Sequence, residues 1–428
     1  MKSRMTFAAL MAVLLLAAVA CAGSTPEGGD GAGGEGEGEG GGEMVWAIGG
    51  AEAQPGALHT QIAELWGETH SDMPPVRIET LPEAADEQRQ QQALVLNGQD
   101  PSFDLIAMDV IWTGEYSTNG WLESMEDRRG DLEGVLAGPM ESAAWEGELW
   151  AAPLNTNAGF FYYRTDLMDA APRTWDEATQ MCTAAAEEEG ISAYVAQGAQ
   201  YEGMIVNYLE YFFGGGGEMF NEDSTEVLFG EGEAAVRALE FMQESVDNGF
   251  YANGFNTLME NESQAEFLSG QAACMRNWPS FYTLLEDEEA GSEVKGKFDI
   301  APIPTFSGEG ASAVTGGFNT AVSAFSENKE AAKEFAVWAA TDPEVQTMYG
   351  QGNLPPVLEA TYEELSDDKV MATLAEILPS AKPRPPSPEW ANISIEMQEQ
   401  LFPAYNEGGD AQATVDSITE FLQGTIEE

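Results

Sequence analysis

Apolar positions along residues 44–428 recur in two periods that alternate. Residues 44–48 (MVWAI) form a short apolar run closed by Gly49 and Gly50, and residues 57–69 place their apolar side chains at helical spacing. Residues 76–81 predict a second strand, 86–96 a helix, and 103–108 (FDLIAM) a nearly all-apolar third strand. Further on, 160–163 have strand character and 175–189 predict a helix with Thr174 as its cap. Helices are also predicted over 234–248, from 265 to a stop at Gly270, and over 327–341, 369–378 and 410–422. Strands are predicted over 298–303 and 321–323, and the proline-rich stretch 379–388 interrupts the last helices. Apolar strands alternating with amphipathic helices indicate α/β architecture with a mostly parallel sheet covered on both faces.

The first 43 residues belong to a different regime. Lys2 and Arg4 precede an apolar run over 7–20, Cys21 follows, and 22–43 are dominated by Gly and Glu. A charged start, a short apolar core and small residues before a cut site predict a secretory signal over 1–20, too short for a comfortable membrane span. Ala18-Val19-Ala20-Cys21 resembles a bacterial lipoprotein box, with alanine where leucine is usual. That resemblance implies a lipid on Cys21 and a site of action on the outer face of the cytoplasmic membrane. Residues 21–43 then form a solvated tether with almost nothing apolar to bury.

Removing that segment leaves about 385 residues, more than one core usually organises, so two domains are expected. The chain carries 17 basic against 74 acidic residues, a formal net charge of −57, which excludes a sequence-independent grip on nucleic acid or anionic lipid. At molar salt the screening length falls to about 3 Å and the self-repulsion fades. The composition therefore predicts a salt-adapted protein. Its melting temperature should rise as salt approaches molar levels; a flat or falling trend in a thermal scan contradicts this. Cys182 and Cys274, in an exported chain, are either one disulfide or two buried thiols.

Five segments, in order along the mature chain, resemble the extracellular solute-binding proteins of carbohydrate ABC importers, in the trehalose/maltose-binding branch. They are residues 86–122 (containing DEQRQQ and MDVIW), 153–168 (PLNTNAGFFYYRTDLM), 267–282 (FLSGQAACMRNWPSFY), 315–339 (beginning TGGFNTAV) and 382–394 (KPRPPSPEWANIS). The resemblance implies two α/β lobes, 44–155 with 301–350 and 156–300 with 351–428, joined by crossings near 153–157 and 301–305. It implies ligand held in the cleft, closure by hinge motion, and a monomer that delivers sugar to a membrane permease without any cofactor.

Sugars present rims of hydroxyl groups and patches of C–H, so a specific site needs planar aromatics together with carboxylates, amides and arginine. By the resemblance, the ligand-binding set is Glu52, Arg89, Asp109, Asn155, Asn157, Trp278, Gly317, Phe318 and Arg384, with Trp112, Glu202, Asn207 and Tyr282 as weaker candidates. Asp109 follows an apolar strand, where α/β sheets present ligand groups. Trp278 in RNWP can floor a pyranose ring, and Pro279 stiffens its turn. Asn155 and Asn157 stand where the family often has an aromatic and an aspartate, and Phe318 where it often has tryptophan.

Other classes fit less well. A secreted α-glucosidase would also have an aromatic cleft with paired carboxylates, but candidates spread over both lobes suit closure around an intact ligand. A surface adhesion module would fit the anchor and not need a cleft. His59 and His70 lie in no metal-ligand spacing, and the glycines at 214–217 lack the Lys-Ser/Thr of a phosphate loop. No metal site is expected.

Overall fold

A computed structural model describes residues 42–50, 57–221, 225–310 and 312–427. The signal, Cys21, most of the tether and Glu52 lie outside the described residues. The chain forms two lobes, each built on its own sheet with helices packed against it.

In the first sheet, Met44–Gly49 lies between Val76–Leu81 and Leu105–Asp109, parallel to both. Val314–Val322 joins antiparallel to Leu105–Asp109, pairs on antiparallel Ala151–Ala158, and takes the short Lys382–Pro383 at its start. The second sheet runs Phe298–Ala301, Phe160–Arg164, Ala272–Asn277, Ser192–Val195, with only the last pair parallel. The architecture is thus α/β as expected, but mixed rather than mostly parallel. The chain leaves the first lobe and later re-enters it along one long strand, so its return runs opposite to the parallel core.

Strand membership locates the crossings. Ala151–Ala158 belongs wholly to the first sheet and Phe160–Arg164 wholly to the second, so the chain changes lobe at Gly159, beyond the expected 153–157. It returns between Ala301 and Val314. Lys382–Pro383, expected with the second lobe, pairs at the edge of the first sheet.

Local chemistry explains the elements that periodicity marked. Trp175–Glu189 starts on a capping box in which Thr174 accepts from the Glu177 amide and Glu177 reaches back, and ends at Gly190 in the left-handed region. Lys329–Thr341 buries Phe335 and its alanines against the first sheet. Glu202–Gly214 is buried along all 13 residues, which erases any helical period. Cys182 on the helix Trp175–Glu189 is disulfide-bonded to Cys274 in the second sheet across 92 residues of chain. Closing so long a loop restricts the unfolded chain, so replacing both cysteines by serine should cost about 2–4 kcal/mol of stability in denaturant melts. An unchanged midpoint contradicts that.

Candidate functional site

The C-terminal ends of the parallel strands, the usual ligand edge of an α/β sheet, face the second lobe across a cavity of about 410 Å³. Gly50 and Glu83 follow strand ends of the first lobe and Asp109 closes its strand; Gly316, Gly317 and Phe318 come from the returning strand. The second lobe contributes Tyr201, Glu202, Glu260 and Trp278, and the late segment brings Arg384.

Arg384 joins the two lobes electrostatically. Its Nη2 donates to Asp109 Oδ1 at 2.6 Å and its Nη1 to Glu202 Oε1 at 2.8 Å. Glu202 also accepts from Trp390 Nε1 at 3.0 Å and from the Ser394 hydroxyl, and its backbone N–H donates to Asp86. Arg384 is 5% exposed, a position where an unpaired charge would be costly. Burial alone would lower its pKa, but the Asp109 and Glu202 carboxylates outweigh burial and hold it above the ordinary arginine value. Burial pushes the Glu202 carboxyl up, partly offset by Arg384. The Arg384 Nε is buried and has no partner among the described residues.

Trp278 supplies the flat surface. Its backbone N–H donates to Asn277 Oδ1 at 2.8 Å, and its indole N–H reaches Glu260 Oε1 at 3.4 Å. Glu260 Oε2 accepts from the Tyr201 hydroxyl at 2.6 Å, which fixes the carboxylate at the cavity wall. The guanidinium of Arg276 lies 3.9 Å from the indole centroid. Asn157 lines the cavity with its Oδ1 taken by the Ala158 N–H and its amide N–H groups unpartnered among the described residues. Gly317 has φ +116°, and a Cβ there would sit 2.2 Å from the Asn155 carbonyl oxygen, so only glycine lets the strand pass so close.

The remaining candidates fall elsewhere. Arg89 forms a two-point ion pair with Glu115, at 2.5 and 2.8 Å, and with Trp112 lines a separate cavity of about 250 Å³. Glu202 borders both cavities. Asn155 is buried opposite Phe318 and donates to the Thr156 carbonyl, away from the cavity lining. Asn207 donates to Gln197 and to the Gly203 carbonyl inside the second lobe, and Tyr282 packs edge-on against Phe298. Asp109, Asn157, Glu202, Trp278, Gly317, Phe318 and Arg384 are therefore brought together, whereas Arg89, Trp112, Asn155, Asn207 and Tyr282 are not in that cavity.

The family model of the bacterial extracellular solute-binding proteins matches residues 62–374. The chain belongs to this family. The maltose-bound MalE3 of T. maritima superposes with a TM-score of 0.83 at 28% identity, over 90% of this chain and 99% of that one. A probable ABC transporter-binding protein of Deinococcus radiodurans is 29% identical over 64% of this chain and 70% of its own length. The maltodextrin-binding protein MdxE of Bacillus subtilis is 24% identical over 68% of this chain and 70% of its own. These relatives are solute-binding proteins, not enzymes, so the glycosidase reading falls away.

As a solute-binding protein, the chain carries cleft residues that no sequence pattern marked. Glu83, Tyr201 and Glu260 line the cavity, and Asn261 donates to Glu83 at 2.6 Å across the two lobes. In a chain with 74 acidic residues, Glu83 and Glu260 are indistinguishable from solvated surface acids until the fold places them. Among the described residues no cluster of His, Cys, Asp and Glu could hold a metal, and no helix is long and apolar enough to cross a membrane.

Proposed function

We propose that this protein is the sugar receptor of an ABC importer, capturing an α-linked glucose disaccharide, trehalose or maltose, and passing it unchanged to a membrane permease. The supporting observation is the composition of the cavity wall. One indole, Trp278, faces the cavity among hydrogen-bonding groups drawn from both lobes: Asp109, Asn157, Glu260 and Arg384. A stacking surface binds the C–H patch of a pyranose, while carboxylates, amide and guanidinium pair its hydroxyls. A cavity of about 410 Å³ lies within the roughly 300–1,000 Å³ range of small-ligand sites. The maltose complex of the T. maritima neighbour points to the same ligand class.

In this reading the lobes are 44–155 with 301–350 and 156–300 with 351–428, adjusted to the crossing at Gly159. Ligand closes them, and the Arg384 bridge from Asp109 to Glu202 marks the closed state. Glu52 remains a proposed hydroxyl acceptor. The receptor acts as a monomer held outside the cell by lipid on Cys21, with 22–43 as its leash.

Calorimetric titration at high salt against trehalose, maltose, sucrose and maltotriose tests the proposal. Saturable binding of trehalose or maltose, with no glucose released on prolonged incubation, is the expected result. Absence of binding across the whole panel, or steady glucose release, refutes it.

A further inference from the structure

Trp278 is held by something the sequence patterns did not single out. Arg276, two residues earlier on the strand Ala272–Asn277, is 1% exposed, and its guanidinium lies 3.9 Å from the centroid of the Trp278 ring. Arg276 does not line the cavity, whereas Trp278 does, so the cation covers the indole from the protein side. Alternate residues of a strand point the same way, which brings these two side chains together at its end.

The guanidinium cannot drift. Its Nε and Nη2 bond the two carboxylate oxygens of Glu210 at 2.8 and 2.6 Å, and its Nη1 bonds Gln197 Oε1 at 3.0 Å. Glu210 and Gln197 are themselves fully buried. A Cβ on Gly159, at the lobe crossing, would come within 2.6 Å of Arg276 Nη2 and 2.7 Å of Glu210 Oε1. Glycine at the crossing is therefore what admits the ion pair. Glu210 sits two turns along the same buried helix that presents Glu202 to Arg384. One rigid helix thus anchors the support of the aromatic floor and one carboxylate of the polar wall.

A buried ion pair rarely gains stability over an apolar replacement, so its presence behind a binding-site ring calls for another role. We infer that Arg276 is a positioning residue: clamped by Glu210 and Gln197, it fixes the Trp278 ring in one pose and so sets solute affinity without touching the solute. This rests on the reading that Trp278 is the stacking floor for sugar. A lysine at 276 would keep the charge while losing the planar stacking surface and the two-point bond.

The test separates the two ideas. In protein labelled with fluorotryptophan, the Trp278 fluorine resonance is assigned by its loss in Trp278→Phe, and needs no ligand. Arg276→Met should move, broaden or split that resonance while the other tryptophan lines hold, and Arg276→Lys, which keeps a cation for Glu210, should do the same. Whichever variant folds by far-UV circular dichroism is read. Titrated with the best-binding sugar, Arg276→Met should weaken binding by about three- to thirtyfold, and by much less in a Trp278→Ala background. A single, unmoved Trp278 line in a folded variant, or equal weakening in both backgrounds, overturns the inference. Failure of the wild type to bind any sugar sinks the transport reading and leaves the fluorine result to stand or fall alone.

Discussion

Replacing Trp278 with alanine weakens sugar binding at least tenfold, about 1.4 kcal/mol, while the fold persists. The residue is only partly buried, packed against the core rather than within it, so truncation removes cavity wall more than core. What is lost is the flat surface for the pyranose and the indole N–H that reaches Glu260. Phenylalanine at 278 retains a planar face and should lose less. Calorimetry against the best-binding sugar, with far-UV circular dichroism as control, reads the effect; wild-type affinity in a folded Trp278→Ala variant removes the site assignment.

Arg384→Met has the largest expected effect on stability. Methionine fills much of the volume but leaves the Asp109 and Glu202 carboxylates facing one another without their shared cation. Breaking a buried pair in this way costs about 3–5 kcal/mol, because charge is left uncompensated. The pH dependence follows from sign. Burial already raises Glu202 above its ordinary carboxylate value, and Arg384 is the main influence pulling it down. Without that cation the folded-state pKa rises further, so the native state binds protons more tightly than the unfolded chain. The deficit should therefore be full above the variant's raised folded value and shrink as pH falls from there to the wild type's own, less raised, folded value, below which both proteins gain alike. Denaturant melts of wild type and variant across this range check it; a deficit independent of pH points to packing loss instead.

Two kinds of element are legible from sequence: helices with one wet face, and the buried strands Met44–Gly49, Leu105–Asp109 and Phe160–Arg164, whose short runs are apolar without polar interruption. Trp175–Glu189 and Lys329–Thr341 alternate apolar and acidic positions at helical spacing, and Thr174 marks a start that the structure shares. Glu202–Gly214, Ala151–Ala158 and Ala272–Asn277 are buried throughout, so hydrophobicity along them carries no period and they were not assigned as elements. Predicted strand 321–323 proved to be the end of Val314–Val322, whose glycines hide its extended character. In the site, Asp109 stands at the end of an apolar run legible in the sequence, Trp278 stands out only through RNWP and the family resemblance because its strand is hidden, and Arg89 lies outside the cavity. Its helix presents it to Glu115, a contact across 26 residues that no local pattern encodes. Arg384 was placed in the cleft, but its bridging of Asp109 to Glu202 depends on residues 275 and 182 positions away and emerges only from the fold.

The most direct test is a crystal structure with the tightest-binding member of the sugar panel. The account predicts one intact saccharide between the lobes, a pyranose ring lying on the Trp278 indole and hydroxyl groups within hydrogen-bonding distance of Asp109, Glu260 or Arg384. A sugar bound elsewhere with the Trp278 face uncovered, or a non-carbohydrate solute filling the cleft, contradicts it.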